Sequence, residues 1–277
     1  MKKLAWITLA TLFSVGMISC DDDDDDNGNR NNGCTLQELE IVSDGDTVSY
    51  MMTYDSLDRI VSVDQNDGIE SNTFDYTYNS DGVEQVTLSG PLGNTLVTLD
   101  YGYTGGELSS YTLSNSITED TLEVDVTVNS DGTVNTLTFD TDIEGSNFSV
   151  VATYSYDGNG NVESVTATSE VAILGDIEVF STSFSYDNRD NPLQGIFVDL
   201  DDIQSLINNN SPNNITRVEV READVLNPLD GLALTRTVTF DYDYNSDRLP
   251  EDADVTDTDE DSGDSEESEW IYSYECE

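Results

Sequence analysis

Eight times along this chain, three mostly aromatic or aliphatic residues alternate with polar ones and then run into a turn. The trios are Tyr50-x-Met52-x-Tyr54, Phe74-x-Tyr76-x-Tyr78, Leu99-x-Tyr101-x-Tyr103, Val124-x-Val126-x-Val128, Ala152-x-Tyr154-x-Tyr156, Thr182-x-Phe184-x-Tyr186, Phe240-x-Tyr242-x-Tyr244 and Trp270-x-Tyr272-x-Tyr274. A period of two is the strand period and puts each trio on one face, with Asp, Thr and Ser on the other. Turn residues follow at once in Asn79-Ser80-Asp81-Gly82, Asn129-Ser130-Asp131-Gly132, Asp157-Gly158-Asn159-Gly160 and Thr104-Gly105-Gly106, while Asn245-Ser246-Asp247-Arg248 lacks only the glycine. Asn and Asp side chains bond the backbone of such turns, and glycine supplies the positive φ that closes a short hairpin.

After each turn comes an apolar pair three residues apart: Ile60/Val63, Val83/Val86, Leu108/Tyr111, Val134/Leu137, Val162/Val165 and Leu193/Ile196. Three apart on a regular strand means opposite faces, so either a bulge lies between the two or both faces are partly covered. A bulge is the expectation, because it also supplies twist and curvature. The residues that precede the turns fall at 54, 78, 103, 128, 156, 186 and 244, one hairpin per interval, and the widest interval has room for two.

The pattern predicts an all-β fold: an up-and-down antiparallel meander of about 14–16 strands, too many to stay flat. It closes into a barrel or a strongly curved half-barrel with the tyrosines inside. One short helix is expected near 199–210, where Leu200, Ile203, Leu206 and Ile207 share a face. Residues 251–269, with 11 acids among 19, are expected to form an acidic loop. Alternation also suits a transmembrane barrel, but short strands and dense Asp near the turns favour a soluble one.

The missing residue types exclude much chemistry. The chain has a formal charge of −49 and no histidine, and its only lysines are Lys2 and Lys3. Histidine-based triads, histidine metal ligands, lysine Schiff bases and P-loops are therefore absent. Such a charge repels nucleic acid and acidic headgroups. No catalytic residue, metal ligand or cofactor is singled out, since with 58 carboxylates a pair somewhere carries no signal.

The N-terminus gives the location. A basic start, an apolar stretch over Leu4–Ile18 and six aspartates after Cys20 read as a cleaved secretory signal. Met17-Ile18-Ser19-Cys20 resembles the lipobox of bacterial lipoproteins, which implies that Cys20 is the lipid attachment site and holds the chain to a membrane. The acidic run resembles the signal that directs Bacteroidota lipoproteins to the outer face of the outer membrane. The expected organisation is therefore a signal peptide (1–19), an acidic disordered tether (20–33) and a single hairpin-repeat domain (34–277). In the exported chain seven arginines face 58 carboxylates, a formal −51. Cys34 and Cys276 remain, and outside the cytoplasm they are expected to form a disulfide tying the first strand to the last.

Tyr54-Asp55-Ser56-Leu57-Asp58-Arg59-Ile60 and Tyr156-Asp157-Gly158-Asn159-Gly160-Asn161-Val162 resemble the Tyr-Asp repeat of RHS-type proteins. Tyr186-Asp187-Asn188-Arg189-Asp190-Asn191-Pro192-Leu193, with the following Ser211-Pro212-Asn213-Asn214, is similar to a Bacteroidota family of secreted lipoproteins of unknown function. That resemblance implies a porin-like fold and offers no catalytic motif. Asp46-Thr47-Val48, Asp55-Ser56-Leu57 and Asp120-Thr121-Leu122 are similar to the O-glycosylation triplet of Bacteroidota exported proteins.

The function expected is a lipid-anchored cell-surface binding or structural protein without catalytic activity, its ligand a glycan or a protein. Tyrosines exposed on the sheet would stack on sugar rings, whereas tyrosines turned inward would be core. The alternatives are a calcium-stabilised surface protein using Asp257-x-Asp259-x-Asp261, and a carboxylate-dependent glycosidase.

Overall fold

The computed structural model describes residues 33–143, 146–171, 175–194, 211–223 and 231–276. Sixteen strands follow one another: β1 (Cys34–Ser43), β2 (Asp46–Tyr54), β3 (Ile60–Asn66), β4 (Ser71–Tyr78), β5 (Val83–Ser89), β6 (Thr95–Thr104), β7 (Glu107–Asn115), β8 (Asp120–Val128), β9 (Val134–Ile143), β10 (Ser146–Tyr156), β11 (Val162–Val171), β12 (Gly175–Asp190), β13 (Asn213–Ala223), β14 (Leu232–Tyr244), β15 (Pro250–Asp259) and β16 (Ser265–Cys276). Each strand pairs antiparallel with its sequence neighbours, and β1 pairs with β16, so the meander is a closed barrel and not an open half-barrel.

The eight trios sit on the eight even strands with their side chains inside. Tyr50, Phe74, Tyr76, Tyr101, Tyr154, Phe240, Trp270 and Tyr272 are buried, and they belong to one apolar cluster with Leu39, Val63, Leu137, Ala152, Val218 and Ala253, each 0% exposed. The residues between them, such as Asp75, Thr77, Asp125, Thr127, Asp241 and Asp243, are exposed outside. Hydrogen bonds cross the strands on that outer face: Thr73 to Asp64 at 2.7 Å, Gln85 to Asp100 at 2.6 Å, and Ser155 with Ser164 at 2.7 Å. Apolar inside and polar outside is the reverse of a bilayer-spanning barrel, which turns an apolar band to the lipid.

Five of the six pairs three apart are explained by bulges. Tyr54 pairs with Ile60 and Thr53 with Ser62, so Val61 is the extra residue and Ile60 rejoins Val63 on the inner face. The same skip occurs at Glu84, Ser109, Asn135 and Glu163, one per hairpin at the same end of the barrel. It occurs again at Gln37, at Thr216 and at Glu251, three sites the sequence pattern did not reveal.

Two expectations change. Residues 251–269 are not a loop: Ala253, Val255 and Trp270 point inward between acids that point outward, so β15 and β16 fill most of that span. Among the described residues, the wide interval from Tyr186 to Tyr244 holds one hairpin, β13–β14. The helix near 199–210, the signal peptide (1–19) and almost all of the tether (20–33), including Cys20, lie outside the described residues, as does Ile196 of the pair begun by buried Leu193.

Candidate functional site

The barrel has two unlike rims. Both ends of the domain enter at one of them, the terminal rim, where Cys34 and Cys276 are paired across β1 and β16 and joined by a disulfide that closes 242 residues of sequence. The last member of every trio stands there, half-buried: Tyr54, Tyr78, Tyr103, Val128, Tyr156, Tyr186, Tyr244 and Tyr274 form a collar. Five of its hydroxyls donate to the carbonyl of the residue just before the bulged one on the preceding strand. Tyr54 reaches Leu36, Tyr78 Ile60, Tyr103 Val83, Tyr156 Val134 and Tyr186 Val162, at 2.5 to 2.9 Å. A bulge breaks the ladder locally, and the phenol supplies a donor at that place.

The turns below the collar are held by their first residue. Asp55 Oδ1 accepts from the Leu57 and Arg59 amides, Asn79 Oδ1 from Asp81 and Gly82, Asp157 Oδ1 from Asn159 and Asn161, and Asn245 Oδ1 from Asp247 and Leu249. Hydrogen bonds from Arg59, ahead of the Leu57 and Arg59 amides, hold the Asp55 carboxyl below the usual carboxylate range. Gly82 has a second reason to be glycine, since a Cβ would lie 2.6 Å from the Tyr103 hydroxyl crossing above it. Arg248, where the other turns favour glycine, adopts φ 71° itself.

The segment that resembles the lipoprotein family forms a polar clasp on this rim. The Ser211 hydroxyl donates to the Tyr186 hydroxyl and accepts from the Val162 amide, at 2.8 and 3.1 Å. Asn161 exchanges two hydrogen bonds with Asn213, and Asn161 and Ser211 are 0% exposed. Asp187 accepts from the Tyr244 hydroxyl and from Asn214. These are buried groups with partners, and the clasp ties the β10–β11 turn to the start of β13.

At the far rim, β3–β4, β5–β6 and β7–β8 are joined by three adjacent turns, and each lifts one large aliphatic side chain into water. Ile69 is 91% exposed, Leu92 93% and Ile117 72%. Neighbouring hairpins are two strand spacings apart, roughly 10 Å, so the three tips span roughly 20 Å. Asp44 and Gly45 turn β1 into β2 beside the first of these tips, and Glu260, Asp261 and Asp264 occupy the β15–β16 turn across the β1–β16 seam.

The sequence-predicted groups fall as follows. The tyrosines of the trios face inward, buried or half-buried, and the collar bonds engage five of their hydroxyls. Thr47, Ser56 and Thr121 of the three triplets are exposed. Asp257 forms an ion pair with Arg236, and Asp259 Oδ1 accepts from the Asp261 and Ser262 amides, so the triplet serves a strand and a turn. Among the described residues no three carboxylates or cysteines converge as metal ligands. Glu123, Asp125 and Asp140 line an open depression on the outer face with Thr121 and Thr138. The aliphatic arc went unread in the sequence, because a lone Ile or Leu in a turn carries no periodic signal.

No family model and no curated protein sequence matches the chain. Solved structures do. A porin-like protein from Bacteroides uniformis ATCC 8492 superposes with a TM-score of 0.51 at 13% identity, over 87% of this chain and 96% of the other. A porin-like protein from Bacteroides vulgatus ATCC 8482 gives a TM-score of 0.51 at 13% identity, over 87% and 98%. The chain therefore has the barrel fold of porin-like proteins of Bacteroides.

Proposed function

We propose that this chain is a lipid-tethered barrel on the outer membrane that displays its far rim to the outside, acting as a binding or structural module and neither as a pore nor as an enzyme. The observation that carries this reading is the inside-out distribution of polarity. The inward rows are packed as a core, with Leu39, Val63, Leu137, Ala152, Val218 and Ala253 out of reach of water, and the outward rows are Thr, Ser, Asp and Glu. A barrel built this way has neither the wet lumen of a porin nor the apolar belt that would seat it in lipid.

Membrane attachment must then come from outside the barrel, and the lipobox-like cysteine supplies it. Acylation of Cys20 with more than one chain gives stable anchoring without any spanning segment. Both barrel ends near Cys34 lie on the terminal rim, so the tether leaves from there and the far rim points away from the anchor. The Tyr-Asp turns and the buried Asn161–Ser211–Asn213 clasp support placing the chain with the Bacteroidota lipoproteins it resembles.

The test is fractionation of cells producing the full chain. Wild-type protein is expected in the outer membrane, acylated at Cys20 and digestible by protease added to intact cells. The Cys20→Ala variant is expected in soluble fractions. Ion conductance in planar bilayers, or unchanged fractionation of the variant, would overturn the reading.

A further inference from the structure

We propose that Ile69, Leu92 and Ile117 form a docking arc for a protein partner whose contact face is an apolar cleft bordered by lysines or arginines. The proposal deepens the display reading above and rests on it for the direction in which the arc faces.

Of the five large hydrophobic residues exposed among the described residues, three stand on consecutive turns of one rim. Single exposed aliphatics are ordinary, but an aligned set at one end of a molecule with a polar surface is not. Turn chemistry does not call for them. The corresponding positions of the terminal-rim turns carry Ser80-Asp81, Gly105-Gly106, Ser130-Asp131, Gly158-Asn159 and Ser246-Asp247, and among them only Ser56-Leu57 brings a large aliphatic, a single one with no such neighbour on the adjoining turns.

Each tip is held in place before any partner arrives. Asp67 Oδ1 accepts from the Ile69 and Glu70 amides at 2.8 and 2.6 Å. The Gly93 amide donates to the Gly90 carbonyl at 2.8 Å, closing the turn under Leu92. Asn115 Oδ1 accepts from the Ile117 and Thr118 amides at 2.9 and 3.1 Å, and the Ser116 amide reaches over to the Leu96 carbonyl at 2.8 Å, linking the second turn to the third. A preformed arc loses little conformational freedom on binding, so most of the apolar burial is kept as affinity.

Charge selects the occupant. Asp67, Glu70, Glu119 and Asp120 flank the tips, and no lysine or arginine occurs between Arg59 and Arg189. A second copy of this chain, or an anionic membrane, would bring like charge to the same place. A cationic border around an apolar cleft would instead be drawn in by the field and would then bury the three side chains.

The experiment places a photo-reactive phenylalanine analogue at position 92 or 117 of the full chain in producing cells, and at position 57, on the terminal rim, as control. Discrete protein adducts are expected from 92 and 117 and not from 57. The protein identified in the adduct, once purified, is expected to bind the wild-type chain with an affinity that falls with salt and that drops about tenfold or more when Ile69→Ser, Leu92→Ser and Ile117→Ser are combined. All three side chains are exposed, so an unchanged melting temperature shows that the variant is folded.

Absence of a discrete adduct, an adduct of twice the chain mass, labelling of lipid alone, or an affinity indifferent to the triple substitution would overturn the proposal. The Cys20→Ala form separates the two readings. If it is released from the membrane and its purified form still binds the partner, the arc stands independently of where the chain resides. If it remains in the membrane, the tether reading fails while the affinity comparison still decides the arc.

Discussion

A tyrosine hydroxyl that reaches a neighbouring strand's carbonyl explains why the third place in a trio is so often Tyr and not Phe. Tyr156→Phe removes the donor to Val134 while keeping the ring, and a loss of about 0.5–1.5 kcal/mol is expected in denaturant unfolding. Val128, which has no hydroxyl to offer, gives the converse: Val128→Tyr is expected to be neutral or stabilising. Burial also pushes the phenols of Tyr54, Tyr103 and Tyr156 up to about 12. The folded protein therefore holds protons that the unfolded chain gives up near pH 10. Their contribution is fully present below pH 10 and is lost as the pH rises from 10 towards 12. Stability measured against pH should fall steeply there, with phenolate absorbance rising together with unfolding and not ahead of it. The trios were legible because period two is a strong signal; the hydroxyl contacts were not, because they join residues 18 to 24 apart on different strands.

The element most misread from sequence was the β15–β16 hairpin. Its charge density suggested a solvated loop, yet Ala253 and Val255 keep the inward period and the acids merely crowd the outer side. Asp241, Asp254 and Glu269 lie directly opposite one another on β14, β15 and β16, all exposed. Like charges so placed repel by a few tenths of a kcal/mol per pair. Asp254→Asn relieves two such pairs, and a gain of about 0.5–1 kcal/mol is expected at low ionic strength. The gain should shrink in about 1 M salt, where the screening length is about 3 Å; a gain independent of salt would point to another cause. The bulges, by contrast, were legible from the spacing of Ile60/Val63 and its counterparts, since no regular strand can put such a pair on one face. At Gln37, Thr216 and Glu251 the same device escaped notice: no trio-and-turn unit precedes Leu36, the pair Ile215/Val218 stands far along the chain from the turn after Tyr186, and the pair Pro250/Ala253 ran into the acidic run.

On the scale of the whole molecule, closure depends on the one pairing between strands that are not consecutive in sequence, β1 with β16. The disulfide stands at the end of that ladder. A crosslink closing so long a loop is worth roughly 5 kcal/mol by its restriction of the unfolded chain. The Cys34→Ser/Cys276→Ser variant should therefore unfold at clearly lower denaturant concentration, and wild type under reducing conditions should behave like it. Sequence gave a count and an order of strands but left closed and open forms both standing, because alternation is a property of each strand and closure a property of their sum. The far-rim arc belongs to the same category: its three residues are ordinary singly and meaningful only once hairpins stand side by side.

With the first and last strands bonded at one rim and their terminal Cα atoms 4.0 Å apart, the domain has the topology of a ring cut at an arbitrary point. A short peptide across that gap would let the gene be circularly permuted, starting at another terminal-rim turn such as the one after Tyr78. The tether could thereby be moved around the rim to any other hairpin, turning the barrel about its own axis relative to the membrane while the opposite face keeps its shape.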